Sequence, residues 1–363
     1  MYRRTIHFGD SIPTEEPALL FGDGGPHQSA RAVLPAAGRG YGRAAPHHAR
    51  PRGSCSLSIR PAKGCSMPHP HASAPLAAGA HSLVIDGVRQ QVRVAGQGPC
   101  CIVHAGGPGI DAGYLRMPLL ERHLTMVYLD PIGTGASGRL PSHPMGYTVD
   151  RFADQVLAFV EATGLDTPFL LGHSHGAFVV LQAALKRPGA TSGLILHAGA
   201  AWTGGDFMAA ASAEIDRFVD RNVGTREAEE VRKAWAALPE IRSDEDYTAV
   251  LRGLLPAYVS DHRRCRDVLD VLRSQLCATM LVGDRTPFDV RDALPGLAVP
   301  TLVLAGAADF ILGPRHAAIL AGTLPHARLV TFGSSGHFAH LEEPDAFADA
   351  VIRFTQDPGS GLP

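Results

Sequence analysis

Lysine is almost missing from this chain: Lys63, Lys186 and Lys233 are the only three among 33 basic residues. Charged residues make up 19% of the 363, and 33 Lys/Arg against 35 Asp/Glu leave a net charge of -2. A polyanion binder needs a basic excess, so nucleic acid is not an expected partner. No apolar run approaches the roughly 18 residues of a spanning helix, so no membrane partner is expected either. The six cysteines (Cys55, Cys65, Cys100, Cys101, Cys265, Cys277) are scattered, and no C-x-x-C pair occurs. That excludes a disulfide framework, gives no support to structural zinc, and makes a reducing cytoplasm the expected location. Met1-Tyr2-Arg3-Arg4 is basic, but Asp10, Glu15 and Glu16 stand where a secretory signal needs its apolar stretch.

What the chain does have is 45% hydrophobic residues, enough for a large core. They are unevenly spread. Residues 24–80 hold no acidic residue, seven Lys/Arg, and repeated Pro, Gly, Ala and His without a period of 2 or 3.6. Such a segment has no face to bury, so residues 1–76 are expected to be a disordered extension. An organelle transit arm shares the Arg-rich composition, but the amphipathic pattern of one is missing. Met67 is a candidate start, and removal of residues 1–66 is expected to leave activity intact.

From residue 82 the pattern is regular. Short apolar or β-branched runs occupy 82–86, 88–95, 101–105, 125–130, 169–173, 194–197, 301–305 and 328–332. Helical patterns at 149–163, 176–186, 314–322 and 344–354 separate most of the later ones. Strands alternating with helices predict an α/β fold, a mostly parallel eight-stranded sheet flanked by helices. The first two runs lie too close for a helical crossover and predict an antiparallel hairpin at one edge. Between 201 and about 295 the strand signal fades into helices rich in Ala, Arg, Asp and Glu. Two core segments, 77–201 and 296–357, are therefore expected around a helical cap at 202–295, roofing the crevice where such sheets bind ligands.

The sharpest local signal is Gly172-His173-Ser174-His175-Gly176, between an apolar run and a helical pattern. G-x-S-x-G in that context places serine on a strained strand-to-helix turn, with small neighbours that let the backbone pass closely. Serine needs an oriented base, and in this architecture the partners follow in the order Ser, acid, His at later strand ends. Asp309 follows the 301–305 run and His337 follows the 328–332 run, which makes them the expected orienter and base. Among eighteen histidines, His340 is the nearest rival base; Asp284 is the rival acid. The oxyanion hole needs two backbone N–H groups. His175 supplies one, and the loop His104-Ala105-Gly106-Gly107-Pro108-Gly109 the other, from Gly107 with Gly106 in reserve. The loop lacks the spacing of a phosphate cradle. His104, His173 and His175 raise a metal site, but no Cys or paired carboxylate accompanies them, so none is expected.

These motifs together resemble the α/β-hydrolase superfamily, and within it the serine-dependent group that includes proline iminopeptidases. The resemblance runs from residue 82 to about 356. It rests on Ala105–Gly109, the stretch Leu129-Asp130-Pro131-Ile132-Gly133-Thr134-Gly135-Ala136-Ser137, the serine motif, Asp309 and His337. It implies acyl transfer through a Ser-His-Asp triad without cofactor. Two departures stand out. Ala105 holds the histidine place of the iminopeptidase H-G-G-P-G loop, with His104 one position earlier. In the cap, iminopeptidases bind the substrate's free amino terminus with glutamates near a W-x-x-W-E stretch. Lys233-Ala234-Trp235 echoes its start, but Pro239 stands where the glutamate belongs and Glu240 is displaced by one. Glu229, Glu230, Asp206 and Glu214 are substitutes, and Trp235, Glu240 and Phe310 are the candidate substrate-pocket residues.

The expected activity is hydrolysis of a small ester, lactone or amide through an acyl-enzyme. A proline aminopeptidase acting on short peptides, a carbon–carbon hydrolase or thioesterase, and a silent ligand-binding scaffold remain as alternatives. Nothing in the sequence marks an oligomer interface.

Overall fold

The computed structural model describes residues 76–283 and 286–359. Most of the acid-free segment, Met67 and the rival acid Asp284 therefore lie outside the described residues.

Eight strands form one sheet: β1 (Gly79–Ile85), β2 (Val88–Ala95), β3 (Cys100–His104), β4 (Thr125–Leu129), β5 (Phe169–His173), β6 (Leu194–His197), β7 (Thr301–Gly306) and β8 (Ala327–Phe332). Their order across the sheet is β1-β2-β4-β3-β5-β6-β7-β8. β1 and β2 form the antiparallel hairpin, β2 meets β4 antiparallel, and from β4 to β8 every pairing is parallel. Burial follows the sequence. β2 alternates buried and more exposed positions, as a strand with one solvated face does, whereas β5, β6 and β7 are buried at every position. β1 begins at Gly79, three residues before the apolar pattern, because register with β2 extends the pairing to Val94.

Helices cover both faces. α1 (Val149–Thr163) starts at Thr148, whose side chain accepts from the Arg151 amide, and ends at Gly164, with φ 63°. α2 (His175–Lys186) packs against it, and both join one apolar core with β3 to β7. On the opposite face, Phe347, Val351 and Phe354 of a C-terminal helix fill a second core.

Among the described residues between β6 and β7, four α-helices, α3 (Asp206–Arg221), α4 (Arg226–Ala236), α5 (Asp244–Tyr258) and α6 (Arg266–Gln275), form the helical cap. The chain is completed by α7 (Pro314–Thr323), the short α8 (Ala339–Glu342) and α9 (Pro344–Gln356). The cap has its own apolar cluster, including Ile215, Val231, Val250 and Leu254, which also takes in Phe310. Helix does not continue to 295. α6 ends at Gln275, and the segment after it, which holds Gly283 and Pro287, runs back through isolated bridges, Ile110 to Ala278, Met145 to Val282 and Trp202 to Asp289. No helix among the described residues is long and apolar enough to cross a membrane.

Candidate active site

Ser174 sits between β5 and α2 with φ 54° and ψ -122°, a conformation that strains any residue but glycine by about 1–3 kcal/mol. Its backbone is held on both sides. The Ser174 amide donates to the His197 carbonyl at 2.9 Å, and its carbonyl accepts from the Ala177 amide at 2.9 Å. The flanking glycines are required by close approach: a Cβ on Gly172 would collide with the Gly176 carbonyl, and one on Gly176 with the His104 carbonyl. The serine side chain is thus partly exposed at the positive end of α2.

Asp309 and His337 lie in the loops after β7 and β8, and their side chains meet. The His337 Nδ1–H donates to Asp309 Oδ2 at 2.8 Å. Asp309 Oδ1 accepts the Ile311 and Leu312 amides at 3.0 and 3.1 Å. Burial alone would push this carboxyl up; the His337 charge, its hydrogen bond and the two amides outweigh burial and hold it below the usual range. Nε2 of His337 is left for the serine side. Ser174 and His337 line the same small cavity, although no hydrogen bond joins them among the described residues. In unliganded sites such bonds are often long.

The loop carrying His337 is clamped from several directions. Its amide donates to the Tyr258 carbonyl at the end of α5, 2.7 Å away. Gly336 N–H donates to Glu342 Oε1 at 2.8 Å, and the Ser335 hydroxyl to Glu343 Oε2 at 2.6 Å. From the sheet side, His173 Nε2–H donates to the His337 carbonyl at 2.9 Å. A carbonyl only accepts, so His173 carries its proton on Nε2, and its Nδ1 accepts the Tyr114 hydroxyl at 2.7 Å. That hydroxyl in turn accepts the Gly106 amide at 3.0 Å. Burial first, then the neighbouring charges of His197, His337 and His340, keep His173 neutral, well below its ordinary range. A continuous hydrogen-bonded chain therefore ties the Gly106 loop to the His337 loop.

That chain separates the two glycines. Gly106 spends its amide on Tyr114, whereas neither the Gly107 nor the His175 amide has an acceptor among the described residues. Gly107 has φ 116°, open only to glycine, and precedes a cis peptide to Pro108. The Tyr247 hydroxyl donates to the Pro108 carbonyl at 3.0 Å, so the cap also holds this loop. In the 129–137 motif, Asp130 Oδ1 accepts the Ala112 amide at 3.2 Å, joining the loops after β3 and β4.

Two cavities meet at Ser174. The larger, about 500 Å³, has Gly107, Ser174 and His175 at its floor and walls that include Phe178, Phe207, Met208, Trp235, Leu254 and Leu281. The smaller, about 50 Å³, is lined by Ser174, His337, Tyr114 and Tyr258 with Ile110, Leu255, Leu276 and Phe338. Of the three expected pocket residues, only Trp235 lines the large cavity. Phe310 lies behind that wall, its ring 6.1 Å from Trp235 and 4.8 Å from Tyr258. Glu240 lines neither cavity: it is exposed, with Arg242 3.9 Å away, because α4 ends at Ala236 and the Leu238–Glu240 turn carries it outward. The substitutes are each engaged by an arginine, Glu229 by Arg232, Glu230 by Arg273, Asp206 by Arg315 and Glu214 by Arg217. The rival base His340 lines neither cavity, and its Nε2–H donates to the Tyr114 carbonyl, 3.2 Å away. Among the described residues, no group of three or more His, Cys, Asp or Glu is arranged to hold a metal ion.

Residues 101–344 match the family model described as the alpha/beta hydrolase fold. The chain belongs to the α/β hydrolase fold family. This α/β hydrolase is 24% identical to RutD of Pantoea ananatis, named as a carbamate hydrolase, over 71% of this chain and 89% of that protein. It is 26% identical to the 2-hydroxymuconate semialdehyde hydrolase of Pseudomonas putida, over 74% of this chain and 91% of that protein. Among solved structures, a hydrolase from Pseudomonas aeruginosa covers 77% of this chain and 99% of its own, with 25% identity and a TM-score of 0.57.

Of the residues the sequence pointed to, Ser174 and Gly107 line both cavities, His175 the large one and His337 the small one, while Asp309 lines neither and meets His337 from behind. Tyr114, His173 as a loop tie, and Tyr258 were missed. His173 was weighed only as a metal ligand; its position beside the serine was the available signal.

Proposed function

We infer that the protein is a serine hydrolase acting on a small, largely apolar carbonyl substrate. His337 Nε2 takes the Ser174 proton as Oγ attacks the carbonyl carbon. The tetrahedral oxyanion accepts the Gly107 and His175 amides, and Asp309 holds the proton of His337 on Nδ1 and balances its charge. His337 then returns the proton to the leaving atom, and the bond from the carbonyl carbon to that atom breaks. Water attacks the acyl-serine with His337 as base, releasing the acid and restoring Ser174. The observation that carries this reading is the strained serine turn lining the same cavity as His337, whose Nδ1 is bonded to Asp309. Its test is kinetic: Ser174→Ala and His337→Ala are each expected to lower kcat by about 10⁴-fold or more with the fold intact. An alanine variant that keeps most of the activity overturns it.

The cavity favours an ester, lactone, carbamate or simple amide over an N-terminal amino acid. A free ammonium group needs an available carboxylate. The two aspartates of the described cavity wall are already paired, Asp150 with Lys186 at 2.8 Å and Asp289 with Arg291 at 2.5 Å. A carbon–carbon hydrolase is the second reading, favoured by the likeness to the Pseudomonas putida enzyme. Turnover of simple alkyl esters, which it does not require, separates the two.

A further inference from the structure

If Ser174 is the nucleophile, chemistry fixes where the two halves of a substrate lie. The leaving atom must come within hydrogen-bond reach of His337, which returns the proton to it. His337 lines the cavity of about 50 Å³ but not the one of about 500 Å³, while Ser174 lines both. His175, one of the two free amides, lines only the large one.

The small cavity is narrow. Ile110, Leu255, Leu276 and Phe338 line it, and each is less than a tenth exposed. A single water occupies roughly 10–15 Å³ by this measure, so about 50 Å³ takes a group of only a few heavy atoms. The side formed by Ile110, Leu255, Leu276 and Phe338 is apolar and offers no ion or hydrogen bond. A peptide, an aryl amine or a long thiol does not fit there. The large cavity, by contrast, presents aromatic and aliphatic walls suited to an extended hydrocarbon.

We propose that the two cavities divide the substrate unequally: a long apolar acyl group fills the large one, and a short alcohol, or ammonia from a primary amide, departs from the small one. This rests on the serine hydrolase reading and narrows it. In the departing step the carbonyl carbon–oxygen bond breaks, the alcohol oxygen takes the His337 Nε2 proton, and the acyl group stays on Ser174 Oγ. The vacated small cavity then admits the hydrolytic water beside His337.

The test uses two isomers of equal carbon count, ethyl octanoate and octyl acetate, hydrolysed by the wild-type chain and followed by acid release. The ratio of kcat/KM is expected to favour ethyl octanoate by roughly 30-fold or more, since the octyl chain is denied the burial that the octanoyl chain receives. Equal rates, or a preference for octyl acetate, overturn the proposal. If neither ester is cleaved while a fluorophosphonate still labels Ser174, the proposal falls and the nucleophile stands; without label or turnover, both fall. Leu276→Ala, which deepens the small cavity, is expected to raise the rate on butyl octanoate relative to ethyl octanoate about tenfold. An unchanged ratio in a folded variant counts against the assignment, and the isomer pair decides the matter should the variant not fold.

Discussion

Replacing Asp309 by asparagine changes few atoms and tests the geometry closely. Asp309 Oδ1 accepts two backbone amides, from Ile311 and Leu312, so the amide oxygen of an asparagine must occupy that place. Its NH₂ group is then left facing His337 Nδ1, where Oδ2 accepts a hydrogen bond at 2.8 Å. A donor there forces His337 to accept on Nδ1 and carry its proton on Nε2. In that tautomer it has no lone pair for the Ser174 proton. The shape is conserved, so KM and folding change little, but kcat is expected to fall about 10⁴-fold, some 5 kcal/mol of transition-state stabilisation. Steady-state kinetics on ethyl octanoate, with thermal unfolding as control, measures this. A folded Asp309→Asn enzyme retaining a tenth or more of wild-type kcat refutes the reasoning.

Tyr114→Phe strands the Gly106 amide and His173 Nδ1, and is expected to cost about 1–3 kcal/mol of stability. Its kcat should fall about tenfold with KM nearly unchanged; equal rises in KM would mark a merely structural role. Glu240→Ala is expected to leave kcat/KM within about twofold, its carboxylate being exposed and outside both cavities. A large loss on aminoacyl arylamides would revive the aminopeptidase reading. Burial holds His104 and His340 down near 4, and burial with neighbouring histidine charges holds His173 and His197 well below their ordinary range. Below about pH 6.5 the unfolded chain binds protons that the folded one refuses, so stability is present above that value and lost as pH falls towards 4. Four such sites give a slope of up to about 5 kcal/mol per pH unit; denaturant midpoints that match at pH 7 and pH 5 would contradict it.

The parts legible in the sequence are those whose causes are local. Gly172 and Gly176 are needed because two backbones pass within contact of them, and that need is written in five consecutive residues. Asp309 and His337 were picked out by chain order, and their side chains meet because a parallel sheet brings successive strand ends to one rim. Contacts between distant segments were not legible. Tyr114 reaches His173 across 59 positions, and His173 reaches the His337 carbonyl across 164. Tyr258 meets His337 only because α5 folds down onto the sheet. Glu240 shows the opposite error: spacing along the chain was read as position in the cap, whereas the turn after α4 decides where the carboxylate points. The segment after α6 was read as helix because the strand signal fades between 201 and 295 into residues rich in Ala, Arg, Asp and Glu, whereas its course is set by isolated bridges to distant segments, at Ala278, Val282 and Asp289.

The central claim is that Ser174 is an activated nucleophile, and covalent capture tests it most directly. A fluorophosphonate incubated with the wild-type chain, followed by peptide mass mapping, is expected to add one label, on Ser174. Ser174→Ala should take none, and His337→Ala should label at least about 100-fold more slowly. Labelling elsewhere, or labelling of Ser174 at the same rate without His337, would contradict it.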